Sequence, residues 1–170
     1  MKLYTYYRSQ ASFRVRIALN LKGIAREDSF LHLEKGDQFA ADYRAINPQM
    51  VVPTLIDGEV KLFQSLAILE YLDERYPEPP LLPADSVARA WARGLALINV
   101  ADSHPLIVPR VRHYLTDMLN VSKSRDSPGS SIGSAPALRP WRRCLPNIPR
   151  AAGSAMAMGR LSRTSASSHR

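Results

Sequence analysis

The charge balance of this 170-residue chain changes abruptly near residue 122. This change indicates that a folded domain with regular secondary-structure patterns is to be sought in residues 1–122. Residues 1–122 carry 14 basic and 14 acidic side chains, whereas residues 123–170 carry 9 basic side chains and 1 acidic one. The net charge of +8 therefore belongs entirely to residues 123–170. Those residues also hold 10 serines and 5 prolines without helical or strand periodicity, so we expect an aberrant, disordered basic tail.

The first 80 residues alternate between strand and helix patterns. Two stretches rich in aromatic and apolar residues, Lys2–Tyr7 and Ser29–Leu33, predict strands. Gln38–Ile46 predicts a helix that is ended by Asn47–Pro48. Asp57–Gly58 lies between two alternating runs and predicts a β-hairpin.

The segment between the two predicted strands reads as an amphipathic helix. Phe13, Ile17 and Leu21 recur every four residues and predict its apolar face. Ser12 is the expected N-cap and Gly23 the expected stop.

A third helix follows the hairpin, with Ser65 as its expected N-cap and an apolar stripe formed by Leu66, Leu69, Leu72 and Tyr76. The order of elements is thus β-α-β-α-β-β-α. Four prolines then form a stiff linker: Pro77, Pro79, Pro80 and Pro83. From Ser86 to Asn120 the pattern is helical, with a kink expected around Pro105 and Pro109. The predicted divisions are residues 1–80, 86–122 and 123–170.

Composition excludes several classes of protein. No run of eighteen apolar residues is present, and the apolar stretch at the N-terminus is too short for a signal peptide. The single cysteine, Cys144, excludes a disulfide framework and favours a reducing, cytoplasmic setting. The four histidines lack metal-ligand spacing, so no metal site is expected.

The loop Ser9–Ser12 lies between the first strand and the first helix. Unpaired amides at a helix start favour a negative charge, and a thiol held there has a lowered pKa. The hydroxyls of Ser9 and Ser12 can donate hydrogen bonds to such a thiolate. The alternative is that both serines only cap the helix.

Two further features surround the same frame. Val52–Pro53 precedes a strand at a position where a ligand peptide can pair with the Val52 backbone, although an ordinary edge proline is the preferred explanation of this feature taken alone. Gln64–Ser65 begins a helix and is suited to bind a carboxylate. Together with the serine loop, these features would surround a small thiol-containing peptide.

Three motifs in order, YYRSQASFRVRIALNLKGI, NPQMVVPTLIDG and FQSLAILEYL, resemble the zeta class of glutathione transferases. The resemblance covers residues 1–122. It implies a thioredoxin-like α/β N-terminal domain followed by an all-α C-terminal domain, which this chain holds in incomplete form. It also implies a cis peptide bond before Pro53 and a homodimer.

The resemblance assigns roles residue by residue. Ser9, Ser12 and Arg14 match the residues around the thiolate, and Gln10, Ala11 and Phe13 fill the same loop, where the family often has Ser, Cys and Trp. The other matched glutathione contacts are Gln38, Val52, Pro53, Gln64, Ser65 and, from the helical part, His104. The missing cysteine removes any thiol role for the protein itself, while the nucleophile comes from glutathione.

The implied reaction is the cis-to-trans isomerisation of maleylacetoacetate to fumarylacetoacetate in tyrosine and phenylalanine catabolism, with glutathione as the cofactor. One alternative is a maleylpyruvate isomerase, and another is a general glutathione transferase or a dehalogenase of small α-haloacids. A third is a non-catalytic thioredoxin-fold binding module. The expected partner is a small diacid substrate, with neither nucleic acid nor a membrane.

The tail itself suggests a frameshift. When each codon after residue 122 is read from its third base, Ser124–Gly133 can encode ERLAWFQHW and the residues up to Cys144 can encode IGAGLAALETM. Ala155–Arg170 can encode HGDGPTLADICLVPQ, in which the fixed codons of Met156 and Met158 force two of the glycines. We therefore predict that residues from about 123 onward are a shifted reading of a zeta-class helical domain, caused by loss of one base or gain of two near codon 122. We accordingly expect the 170-residue chain itself to be nearly inactive.

Overall fold

The computed structural model describes residues 1–121. These residues belong to two compact units, Met1–Leu81 and a second that begins at Leu82. The first unit has the predicted β-α-β-α-β-β-α order. Its elements are β1 (Lys2–Thr5), α1 (Gln10–Leu21), β2 (Glu27–Phe30), α2 (Ala41–Ile46), β3 (Thr54–Asp57), β4 (Val60–Phe63) and α3 (Ser65–Arg75). This is the thioredoxin-like arrangement that the sequence predicts.

The four strands form one mixed sheet in the order β2-β1-β3-β4. β1 runs parallel to β2 and antiparallel to β3, and β4 is antiparallel to β3. Consequently β1, β2 and β4 finish at the same end of the sheet at which β3 begins. We call this end the site edge, because the loops that leave it carry the predicted functional residues of this unit.

The first unit buries two groups of apolar side chains. The larger one joins the sheet to α1 and α3 through Leu3, Val15, Ala18, Leu19, Leu55, Ile68 and Leu72. The smaller one consists of Tyr6, Tyr43 and Val52 and lies toward the site edge. The loop that carries Val52 is therefore packed against the end of β1.

Two expectations for α1 are wrong. Ser9, not Ser12, is the N-cap, because the Ser9 hydroxyl accepts a hydrogen bond from the Ser12 amide at 3.2 Å. The stripe Phe13, Ile17 and Leu21 is 56%, 42% and 53% exposed, while Ser12, Val15, Ala18 and Leu19 face the core. Apolar side chains recur on this helix at spacings of both three and four residues, so the pattern alone does not select one face. The face that carries Val15, Ala18 and Leu19 is the one that fits against α3 and the sheet. Gly23, with φ of 64°, ends the helix as expected.

Other elements differ from the prediction at their boundaries. β2 begins two residues earlier than expected, and the predicted second helix is divided into a 3-10 turn (Asp37–Phe39) and the short α2. Ser65 is the first residue of α3 and not its cap, since Gln64 occupies the cap position with φ of 70°. The hairpin is confirmed, with Gly58 in its turn at φ of 59°.

A buried lysine ties the end of the first unit together. The Lys22 side chain is fully buried, and its Nζ atom lies 2.9 Å from Asp73 Oδ1. The same atom donates to the carbonyls of Tyr76 and Pro79. Asp73 in turn accepts from the Leu81 amide at 2.7 Å. The three ammonium protons therefore all have acceptors, as a buried cation requires.

The second unit starts with α4 (Ser86–Leu97), which Asp85 caps by accepting from the Ala88 amide at 2.8 Å. A π-helical turn (Ile98–Ser103), a 3-10 turn (His104–Leu106), α5 (Pro109–His113) and a second π-helical turn (Tyr114–Met118) follow. The predicted interruption near Pro105 and Pro109 is therefore present. Within residues 1–121, no helix has the length and apolar character needed to cross a membrane. The predicted basic tail and its frameshift lie outside the described residues.

Candidate functional site

All four loops at the site edge carry predicted residues. The loop after β1 leads into Ser9 and α1, and the segment after β2 leads to Gln38. Val52 and Pro53 come directly before β3, and Gln64 comes directly after β4. The mixed topology thus brings together residues that are up to 55 positions apart along the chain.

Ser9 is held in place from both sides. Its amide donates to the Tyr6 carbonyl at 3.0 Å, and its hydroxyl accepts from the Ser12 amide at 3.2 Å. A hydroxyl that accepts still has its own proton to donate. In this geometry Ser9 can therefore cap α1 and at the same time donate a hydrogen bond to a thiolate.

The rest of this loop is unevenly exposed. Gln10 and Phe13 are exposed, Ala11 is partly buried, and Ser12 is completely buried. The Ser12 hydroxyl has no hydrogen-bond partner within residues 1–121. An unpaired buried hydroxyl is costly, and Ser12 is therefore an exception that calls for an explanation.

Arg14 connects α1 to the start of α3. Its Nε and Nη2 atoms donate to Ser65 Oγ at 3.3 Å and 3.2 Å. Burial lowers the pKa of the Arg14 guanidinium, which still keeps its charge because arginine starts from a very high pKa. A cation, a hydroxyl and the amides at the start of α3 lie together here, and groups of these kinds bind carboxylates.

The Val52–Pro53 peptide bond is cis, as the resemblance implies. The ladder between β1 and β3 ends at the pair Tyr4–Thr54, so the Val52 backbone lies outside it. On the other side of the loop, Gln64 Nε2 donates to Gln49 Oε1 at 3.0 Å. The loop before β3 and the start of α3 are therefore in direct contact.

Gln38 lies in the 3-10 turn after β2 and is buried. Its Nε2 atom donates to the Leu33 carbonyl at 3.2 Å, whereas its Oε1 atom has no partner among the described residues. The amide is thus fixed at one end and free to accept a hydrogen bond at the other.

Unpaired buried polar atoms are concentrated at the site edge. Within residues 1–121 these side-chain atoms are Tyr6 Oη, Ser12 Oγ, His32 Nδ1 and Gln38 Oε1. All four belong to residues that follow β1 or β2. Sequence reasoning missed Tyr6 because it counted this residue only as part of a predicted strand, and it missed His32 because that residue lies in none of the three motifs. Only the topology brings the two side chains to this edge.

The comparisons agree with this geometry. The family model "Glutathione S-transferase, N-terminal domain" matches residues 3–80. The solved structure of a maleylacetoacetate isomerase from Methylobacterium extorquens AM1, with bound malonate and glutathione, has a TM-score of 0.84 and 48% identity over 86% of this chain and 69% of that chain. The chain belongs to the glutathione S-transferase family.

Individual relatives fall in the zeta class of this family or carry isomerase names. A zeta-class glutathione S-transferase from Euphorbia esula is 56% identical over 106 residues, which are 62% of this chain and 47% of the relative. A maleylpyruvate isomerase from Ralstonia sp is 48% identical over 115 residues, 68% of this chain and 54% of the relative. The chain spans about half the length of the curated relatives it matches.

One predicted contact to glutathione lies in the second unit of the chain. His104 is partly buried and begins the 3-10 turn His104–Leu106. Its role toward glutathione stays a prediction. Within residues 1–121, no group of three or more His, Cys, Asp or Glu side chains is placed to hold a metal ion.

Proposed function

We propose that the first unit binds glutathione and that the complete helical domain would use it to isomerise maleylacetoacetate to fumarylacetoacetate. The observation that supports this most strongly is the convergence of the Ser9 hydroxyl, the Arg14–Ser65 pair and the unpaired Ser12 and Gln38 atoms at one sheet edge. A thiol, a carboxylate and peptide groups are the chemical features of glutathione that such a set would satisfy.

The residues present fit this cofactor. Ser65, Gln64 and the Arg14 guanidinium would hold the γ-glutamyl carboxylate at the start of α3. The Val52 backbone, outside the ladder, would pair with the peptide backbone as a further strand does. Gln38 Oε1, a buried acceptor without a partner, would accept an N–H donor. Gln10, Ala11, Phe13 and Pro53 would contribute to the walls of the same site.

The chain's own contribution is electrostatic. Bound glutathione supplies a thiol nucleophile that is regenerated at the end of the reaction. The Ser9 proton and the amides at the start of α1 face the position of that sulfur in our assignment, and both favour its ionised form. Ser9 is therefore the proposed thiolate donor, with Ser12 as a neighbouring hydroxyl.

The substrate is proposed to be a small diacid. The isomerase from Methylobacterium extorquens AM1 holds malonate, which is a small dicarboxylate. Maleylpyruvate is the second candidate, because the relative from Ralstonia sp is named for it. We further propose a reducing, cytoplasmic location and a homodimer for the frame-restored chain. We propose domains at residues 1–80 and 86–122, followed by the frameshifted residues 123–170.

The variant Ser9→Ala tests the thiolate assignment. We expect the pKa of bound glutathione to rise and turnover of maleylacetoacetate by the frame-restored chain to fall by about 10- to 1000-fold, since one stabilising donor is lost. Ultraviolet absorbance of the thiolate during a pH titration measures the first effect on the chain as it stands.

Two controls separate this effect from loss of a helix cap. Ser9→Thr keeps the hydroxyl and should behave like the wild type. Asp85→Ala removes the cap of α4 and should leave the thiol pKa unchanged. An unchanged thiol pKa in Ser9→Ala would move the role to Ser12 or to the amides alone.

A further inference from the structure

A closed ring of hydrogen bonds lies beneath the loop that carries Val52. Tyr43 Oη donates to the Val51 carbonyl at 2.6 Å and lies 2.8 Å from Thr54 Oγ1. Asn47 Nδ2 donates to the same Val51 carbonyl at 2.9 Å and to Thr54 Oγ1 at 2.9 Å. The side chains of Tyr43, Asn47 and Thr54 are buried. We call these three residues the buried ring.

The protons of the buried ring can be assigned without ambiguity. A carbonyl cannot donate, so the single Tyr43 proton goes to the Val51 oxygen. Because the Tyr43 proton is used at Val51, the short contact between the two hydroxyls is a hydrogen bond that Thr54 donates to Tyr43 Oη, while Thr54 Oγ1 also accepts from Asn47 Nδ2. Each hydroxyl thus both donates and accepts, which gives the ring one arrangement and no spare group.

The buried ring holds the chain on both sides of Val52–Pro53. Its hydrogen bonds fix the Val51 carbonyl, which precedes Val52, and the side chain of Thr54, which is the first residue of β3. The turn before it is fixed as well, because Asn47 Oδ1 accepts from the Gln49 amide at 3.0 Å. Since the β1–β3 ladder stops at Thr54, the ring replaces the ladder as the support for Val52.

We propose that Tyr43, Asn47 and Thr54 are positioning residues that orient the Val52 backbone toward the peptide backbone of glutathione. The inference rests on the proposed function for the identity of the ligand, although the support of Val52 does not. A fully satisfied buried polar network rigidifies a core and specifies one arrangement of its members. Backbone pairing with a ligand requires that kind of specification.

The variant Tyr43→Phe tests the proposal, because it keeps the contact between the aromatic side chains of residue 43 and Tyr4 and removes only the hydroxyl. Tyr71→Phe is the matched control. Tyr71 Oη donates to Asp57 Oδ2 at 2.7 Å in the same unit, away from the site edge. We expect Tyr43→Phe to weaken glutathione binding by about 5- to 30-fold, the effect of one lost buried hydrogen bond, and Tyr71→Phe to leave it nearly unchanged. Isothermal titration calorimetry measures both affinities.

Three readouts distinguish positioning from general stability. Thermal unfolding reports the folded fraction of each variant at the titration temperature. The pKa of the bound thiol should stay at its wild-type value in Tyr43→Phe, because Ser9 is untouched. Thr54→Val should weaken glutathione binding as Tyr43→Phe does. Thr54→Ser keeps the hydroxyl and should bind glutathione with the affinity of the wild type.

Amide hydrogen exchange in the absence of glutathione makes the test independent of the ligand. We expect the Gln49 amide, which donates to Asn47 Oδ1 in the turn before Val52, to exchange faster in Tyr43→Phe than in the wild type or Tyr71→Phe. The proposal is overturned if exchange at Gln49 is unchanged, or if Tyr43→Phe loses affinity only in step with its folded fraction. A wild-type chain that binds no glutathione contradicts the proposed function instead, and the exchange measurement still decides whether the ring supports Val52.

Discussion

The two units of this chain differ in how far they bury their own apolar side chains. The first unit closes a core between a four-stranded sheet and two helices within 81 residues. In the second unit, Ala88 and Ser103 are the only buried residues among those described. Large apolar side chains such as Val87, Leu97 and Met118 are exposed there. A sheet with helices against it completes a core, whereas one amphipathic helix needs further helices to do so.

The difference agrees with the comparisons. α4 has a strongly amphipathic sequence, and an open groove along it is lined by Ala90, Trp91, Gly94, Leu95 and Ile98. The chain spans about half the length of its curated relatives, and the similarity of three of them to it covers 106, 115 and 122 residues. The frameshift hypothesis accounts for both facts, because it places the missing helical sequence in another reading frame of the same gene.

Restoring the reading frame should have the largest effect. Insertion of one base near codon 122 should replace the basic tail with the shifted-frame helical sequence and complete the pocket for the diacid. We expect isomerase turnover to rise on the order of 100-fold or more, since poorly positioned reacting groups lose at least that much. The assay compares maleylacetoacetate turnover by the 170-residue chain and by the frame-restored chain.

The coding DNA provides an independent control. Codons 124–144 and 155–170 must yield the shifted sequences when read from their third bases. A coding sequence without that reading, or full turnover by the 170-residue chain, would show the hypothesis to be wrong.

A pair of leucine substitutions measures the difference in burial directly. Leu72, on α3, is completely buried in the core, whereas Leu97, at the end of α4, is 48% exposed. We expect Leu72→Ala to lower the free energy of unfolding by about 2–5 kcal/mol and Leu97→Ala to change it by about 0.5 kcal/mol or less. Urea unfolding followed by circular dichroism measures both. Equal losses would mean that α4 has packing partners that its exposure does not reveal.

Local sequence patterns predicted the elements of the first unit well. The hairpin at Gly58, the stop at Gly23 and the order of strands and helices all depend on neighbours in sequence. The motifs around Ser9, Val52 and Gln64 identified three of the four loops that meet at the site edge, and Gln38 came from the resemblance alone.

Features that depend on distant partners were not predictable in the same way. The Lys22–Asp73 pair and the Arg14–Ser65 pair each join residues 51 positions apart. The buried face of α1 was predicted wrongly because two apolar faces are present, and only the packing against α3 selects between them. The buried ring likewise depends on three side chains whose types are common in ordinary cores.

The smallest expected effect concerns Ser65, and it compares equivalent positions in the two units. Ser65 and Ser86 are the first residues of α3 and α4. Ser65 is buried and accepts two hydrogen bonds from Arg14, whereas Ser86 is exposed. We expect Ser65→Ala to weaken glutathione binding by about 1–3 kcal/mol, because a hydrogen bond to the carboxylate and the orientation of Arg14 are both lost.

Ser86→Ala serves as the matched control and should bind glutathione like the wild type. Since Ser65 is not the cap of α3, its loss should affect the melting temperature less than loss of a capping residue would. Calorimetric titration with glutathione, accompanied by thermal unfolding, separates the two contributions. If Ser65→Ala and Ser86→Ala bind glutathione equally well, the carboxylate site lies elsewhere on the site edge, and Arg14 would then have to act without its present partner on α3.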